Sequence, residues 1–197
     1  MEEYRVKKVN EIKQTSITVH VPGSKSITNR ALLLAALAKG ESALSGVLFS
    51  DDSRHFLDCV QKLGIETKVE EDNCNVTVNG HGGPAKDVAI YVGSAGTAAR
   101  FLAAFLGLSE GTHYMDASAQ MRKRPMGPLL KTLTGIGASF LFEGQDGHFP
   151  FEVTGAGLLI DDSDNEKKRI DVSVNINDSS QFLSALLLAG VMCRDGL

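Results

Sequence analysis

The stretch VPGSKSITNRALLLAALAKG, residues 21–40, joins a β-like run to a small-residue turn and then to a helix of alanines and leucines. The same design returns as YVGSAGTAARFLAAFLGLSEG at residues 91–111 and as NINDSSQFLSALLLAG at residues 175–190. An offset of 70 pairs Gly23 with Gly93, Ser24 with Ser94, Arg30 with Arg100 and Leu32 with Leu102. An offset of 81 carries Phe101 onto Phe182. Self-similarity on this scale sets a whole fold rather than one element. Residues 31–38, ALLLAALA, have no polar face, and a helix apolar all round is buried on most sides. The helices therefore belong inside, with sheets around them.

The segments between the copies correspond too. After the first helix come a strand in SALSGVLF (residues 42–49) and a helix from about Asp52 to Leu63. Two β runs, IETKVEE and NVTVNG, follow around the turn-prone Asp72-Asn73. In the second unit THYMDAS (residues 112–118) reads as the strand and Pro125–Thr134 as the helix. Its β runs, ASFLFEG and HFPFEVTG, flank Asp146-Gly147. Leu63-Gly64-Ile65 and Ile136-Gly137-Ala138 close the two second helices alike. Both units read β-α-β-α-β-β, over residues 20–82 and 83–157. A third unit, residues 158–197, begins with the strand RIDVSVNI and its helix and is cut in half. DDSDNEKKR, Asp161–Arg169, reads as a solvated loop before it, and residues 1–19 belong to none of the three.

Composition narrows the function classes. The 197 residues are 43% hydrophobic and 22% charged, which excludes wholesale disorder. No apolar run approaches the roughly 20 residues of a membrane span, and MEEYRVKKVNEIKQ at the N-terminus has no apolar signal core. A formal charge of −4 argues against general nucleic-acid binding. Cys59, Cys74 and Cys193 are odd in number and form no CxxC, so neither a disulfide framework nor a zinc site is expected; reduced thiols fit the cytoplasm. The five histidines lack metal-ligand spacing.

Chemistry is concentrated at helix starts. With Ser26 as N-cap and Gly40 at the far end, Lys25 sits at the mouth of the first helix and Arg30 one turn in. The positive end of a helix disfavours cations unless an anion is present, and free N–H groups, hydroxyls and cations together make an anion site. Gly93-Ser94-Ala95-Gly96-Thr97 opens the second copy with Arg100 in the place of Arg30, and Gly96 lets a ligand approach the backbone. Asp178-Ser179-Ser180-Gln181 opens the third, capped by Asp178 or Ser179. Arg122-Lys123-Arg124-Pro125 crowds another helix start. Asp51 and Asp52 cap the second helix or orient Lys25 and Arg30. Four such mouths in an acidic chain suit a multiply charged small molecule; nucleic acid would also call for interleaved aromatics.

These motifs closely resemble the 5-enolpyruvylshikimate-3-phosphate synthase family. PGSKSITNRALLLAALAKG, Ser50-Asp51-Asp52, GSAGTAARFLAA, MRKRPMGPL and SSQFLSALLLA stand in the family's order from Pro22 to Ala189. The resemblance implies an inside-out α/β barrel lobe (α+β by content) of repeated β-α-β-α-β-β units around buried helices, and a second lobe that this N-terminal half lacks. Residues 1–19 would be a strand of that missing lobe. It implies transfer of the enolpyruvyl group of phosphoenolpyruvate to the 5-hydroxyl of shikimate 3-phosphate, a shikimate-pathway step of aromatic amino-acid biosynthesis, with no metal and no organic cofactor. Carried over by position, Lys25 is the catalytic residue and meets both substrates. Ser26, Arg30, Ser179, Ser180 and Gln181 hold shikimate 3-phosphate, and Gly96, Arg124 and Gln181 meet phosphoenolpyruvate. Thr97, Arg100 and Asp51 support them. Ser94 replaces the asparagine of the family's GNAGTA. Partners are small anionic substrates and the absent lobe, not nucleic acid or membrane. The chain alone is expected to lack turnover; a stand-alone anion-binding module is the alternative.

Overall fold

Helix α1 (Lys25–Leu37) starts where Ser24 takes extended backbone and its hydroxyl accepts from the Ile27 N–H, so Ser24 is the cap rather than the expected Ser26. It stops at Leu37 because Ala38 returns to extended backbone and leads straight into β1 (Lys39–Ser45). Gly40 therefore lies in a strand, not at the helix end. Helix α2 (Asp51–Lys62) is capped by a reciprocal pair, Ser50 and Ser53, while Asp51 and Asp52 put negative charge in its first turn. Strands β2 (Glu66–Glu70) and β3 (Asn75–His81) complete an antiparallel sheet in the order β1-β3-β2. The computed structural model describes residues 21–84, 87–158, 170–193 and 197. The expected strand before residue 20 and the loop Asp161–Arg169 fall outside these.

The second unit repeats the plan. Strand β4 (Ala89–Tyr91) leads into α3 (Gly96–Leu108) and pairs in parallel with β5 (Thr112–Asp116), the strand after that helix. Strands β6 (Ser139–Phe142) and β7 (Phe151–Thr154) then give the order β4-β5-β7-β6. Its β5-β7-β6 part has the antiparallel order of β1-β3-β2. The helix expected over 125–134 is present but starts two residues later. A one-turn α4 (Ala119–Arg122) precedes it, and α5 (Gly127–Gly135) takes Pro128, not Pro125, into its first turn.

The third unit departs from expectation. Residues 170–176, within RIDVSVNI, form no strand. Their counterpart β4 is held by the strand that follows its helix, and among the described residues no strand lies beside 170–176. Helix α6 (Gln181–Ala189) is present, with Ser180 rather than Asp178 or Ser179 at the N-cap position.

All 13 residues of α3 are buried, and it packs against α1, α2, α5, α6 and β7. Strand β3 alternates, turning Val76 and Val78 inward. Where each sheet crosses the end of its helix, only glycine fits. A Cβ on Gly80 would sit 2.4 Å from the Ala35 carbonyl oxygen, and one on Gly155 would sit 2.5 Å from that of Leu106. This mixed α/β arrangement is the one the repeats imply, with two amendments. Helices α1 and α6 leave apolar side chains exposed, among them Ile27, Leu34 and Leu187. The two sheets stay separate, and no closed barrel forms among the described residues.

Candidate functional site

Helices α1, α3 and α6 pack together, and none of them has an acidic residue in its first turn. Their starts are tied to one another by side chains. Asn29 of α1, fully buried, donates to the Thr97 hydroxyl of α3 at 2.6 Å. The Arg30 guanidinium lies 5.3 Å from the centre of the Phe101 ring and donates to the Ser26 carbonyl at 3.0 Å and to the Ser26 hydroxyl. One repeat further on, the Arg100 guanidinium lies 5.2 Å from the centre of the Phe182 ring. Arg100 also donates to the Gly96 carbonyl at 3.2 Å and to Gln181 Oε1 at 2.7 Å. Each arginine thus lies over a phenylalanine of the next helix in the repeat, an arrangement that stabilises a desolvated cation.

Gly96 is where the cations meet. A Cβ there would lie 2.6 Å from Nη1 of Arg124 and 2.8 Å from Nη1 of Arg100, so both guanidiniums press on bare backbone. Arg100 is only 2% exposed, and burial together with the charge of Arg124 pushes its pKa down to about 10. Its Nε–H has no hydrogen-bond partner, nor has Oδ1 of Asn29. Among the described residues, no carboxylate lies within ion-pair distance of Arg30, Arg100 or Arg124. For Arg100, the buried one of the three, that is unusual in a chain with 24 acidic side chains, because uncompensated buried charge is costly. The arrangement favours a bound anion.

Other expected residues fall less evenly. Lys25, half exposed at the α1 mouth, is paired with Asp52 at 2.7 Å. Asp51, the acid expected to support the site, instead points to solvent with 95% of its side chain exposed, 3.9 Å from Arg54. Adjacent positions on a helix diverge by about 100°, so only one of the two acids can face Lys25. Arg122 leaves the basic triplet for a two-pronged bond to Asp116 at 2.9 and 2.7 Å, while Lys123 is exposed. At the α6 start, Ser179 accepts from the Gln181 N–H at 3.2 Å and Ser180 is exposed. Sequence reasoning left out Asn29 and the two phenylalanines, whereas Asp52 orients Lys25 as one of its two readings had it. The phenylalanines carried a signal, since Phe101 and Phe182 each stand one place after the repeated polar position. A separate hollow of about 610 Å³ between residues 171–176 and α6 is lined mainly by apolar side chains such as Ile176, Leu187 and Val191, and no cation lines it among the described residues.

Comparison with known proteins gives the family. The sequence profile of EPSP synthase (3-phosphoshikimate 1-carboxyvinyltransferase) matches residues 9–196. The 3-phosphoshikimate 1-carboxyvinyltransferase of Nostoc sp. (strain PCC 7120 / SAG 25.82 / UTEX 2576) is 43% identical over 173 residues, which are 87% of this chain and 39% of that protein. Its namesake from Vibrio campbellii is 40% identical over 197 residues, 98% of this chain and 43% of that one. A solved EPSP synthase from Acinetobacter baumannii superposes with a TM-score of 0.72 at 30% identity, covering 89% of this chain and 38% of its own. The chain spans about two fifths of the length of these relatives. With a profile match over nearly its whole length, the chain belongs to the EPSP synthase family.

Proposed function

We propose that this chain supplies the shikimate 3-phosphate-binding part of a site that transfers the enolpyruvyl group of phosphoenolpyruvate to the 5-hydroxyl of shikimate 3-phosphate. The observation that carries the reading is the convergence of Arg30, Arg100 and Arg124, without carboxylate partners among the described residues, on the starts of α1 and α3. In this reading Lys25, Ser26, Arg30, Ser179, Ser180 and Gln181 hold shikimate 3-phosphate, while Lys25, Gly96, Arg124 and Gln181 hold phosphoenolpyruvate. Asp52, not Asp51, holds Lys25 until substrate takes it. A proton adds to the methylene carbon of phosphoenolpyruvate, and the 5-hydroxyl oxygen bonds to C2 as its O–H bond breaks and its proton is released. A proton then leaves the new methyl group as the C–O bond to phosphate breaks. Charge grows on the departing phosphate, where fixed guanidiniums stabilise it best. No metal or organic cofactor enters this scheme.

The reading includes a two-lobed protein in which residues 1–19 belong to the other lobe and units 20–82, 83–157 and 158–197 to this one. It places the protein in the cytoplasm; among the described residues no helix is long and apolar enough to cross a membrane. The test is a thermal melt of the 197-residue chain with and without shikimate 3-phosphate, with Arg30→Ala as control. Ligand that binds only folded protein raises the melting temperature, and we expect a rise that Arg30→Ala abolishes. A cooperative melt unmoved by saturating ligand overturns the reading. An equal rise with inorganic phosphate favours a non-catalytic anion-binding module.

A further inference from the structure

The offsets that generate the repeats also single out Gln181. A step of 70 carries Arg30 to Arg100, and a step of 81 carries Arg100 to Gln181, so the third helix bears an amide where the first two bear guanidiniums. The structure shows what that exchange accomplishes. The third position lies against Arg100, at 2.7 Å, where another cation would be repelled and an acceptor is bound. Because a guanidinium offers only donors, the group it grips must be the amide oxygen. The Gln181 Nε2 group is left with both hydrogens unused by any described residue.

We infer that Arg100 is a positioning residue: it fixes the Gln181 side chain with oxygen inward, so that the amide presents two N–H donors to an anion. This rests on the function proposed above. A freely turning amide would offer its oxygen to the anion about as readily as its nitrogen. Arg100 is suited to remove that freedom, being buried, seated over Phe182 and anchored to the Gly96 carbonyl. Arg30 cannot do the same for Arg100, because two guanidiniums share no donor–acceptor bond. The arrangement is therefore specific to the third repeat.

The test has a readout that needs no ligand. In ¹⁵N-labelled chain the Gln181 side-chain NH₂ pair, identified by its loss in Gln181→Ala, should stand apart from free glutamine. In Arg100→Met it should move to the free position while backbone peaks outside α3 and α6 stay dispersed. An unmoved pair overturns the inference. Gln181→Met gives the reciprocal measurement should Arg100→Met not fold: the Arg100 Nε–H peak shifts if the two side chains are coupled and stays if they are not. Affinity for shikimate 3-phosphate should fall about tenfold in Arg100→Met, as for loss of a bond to a charged group. Adding Arg100→Met to Gln181→Ala should then cost nothing further. A double variant that loses the product of the two single effects means that Arg100 acts independently, and sinks the inference. If the NH₂ pair moves while the wild-type chain binds no shikimate 3-phosphate, the proposed function falls and the positioning role stands.

Discussion

At the scale of single residues, the site depends on what glycine omits. A methyl group at position 96 would meet two guanidiniums that differ in freedom: Arg124 is exposed and can swing away, whereas Arg100 is buried among Gln181, Phe182 and the Gly96 carbonyl. Gly96→Ala should therefore fold, melting within a few degrees of wild type. It should nevertheless expel Arg124 from the place where phosphoenolpyruvate is proposed to sit. Titration with phosphoenolpyruvate in the presence of shikimate 3-phosphate checks this, and the expected result is at least a tenfold loss of affinity with binding of shikimate 3-phosphate itself nearly unchanged. Equal losses for both ligands would mean that the methyl group disturbs the whole helix start. Lys25 shows the opposite design. Its exposed ammonium is held by one carboxylate, a pair worth about 1 kcal/mol or less in such a setting, so an arriving anion can draw it away at little cost.

At the scale of elements, α3 is the helix on which the others are assembled, and its burial separates it from α1 and α6. Phe105, with no exposed surface, should cost about 3–5 kcal/mol when changed to alanine, as deep aromatic truncations do. Leu187 lies on α6 with 62% of its surface exposed, and Leu187→Ala should stay within about 0.5 kcal/mol of wild type. Urea titration of both variants checks the pair, and similar midpoints would contradict the central place of α3. This contrast also marks what could be read from the residues beforehand. ALLLAALA and RFLAAFLGL both look apolar all round, yet only the second is covered on every side, because coverage depends on neighbours that composition does not name. The repeated strands were legible from alternation and spacing. The caps were not: Ser24 competes with Ser26, and Ser50 with Asp51, over separations where every candidate has the right chemistry and only backbone angles decide. Arg122 was misplaced for a similar reason. Its partner Asp116 stands six residues earlier, and α4 was needed to bring the two together.

At the scale of the whole molecule, the three cysteines report on folding because the fold treats them differently. Cys74 is exposed, whereas Cys59 is buried in α2, where its thiol meets the Tyr91 carbonyl at 3.3 Å, and Cys193 is buried after α6. Burial pushes the Cys59 thiol up to about 12 and that of Cys193 up to about 11, both from an ordinary value near 9. Below about pH 9 both thiols keep their protons in the folded and unfolded chains alike, so they leave stability unchanged. Between about 9 and the raised values the unfolded chain releases these protons and the folded chain retains them, which favours unfolding. Each thiol should then remove about 1.4 kcal/mol of stability for each pH unit above 9. Lysines titrate in the same range, so the comparison that isolates Cys59 is the urea midpoint at pH 8 and pH 10 for wild type and Cys59→Ala. The variant should be less stable at pH 8 and should lose less on going to pH 10. A thiol-reactive dye at pH 8 supplies the independent check: one thiol per chain should react within the mixing time, and the other two only as fast as the structure opens, since reaction requires an accessible thiolate. If Cys59 reacted as fast as Cys74, α2 would not be packed against β4, the strand that holds Tyr91. Its contact with Tyr91, which precedes the Gly93–Gly96 turn leading to the proposed phosphoenolpyruvate site, would then be lost as well.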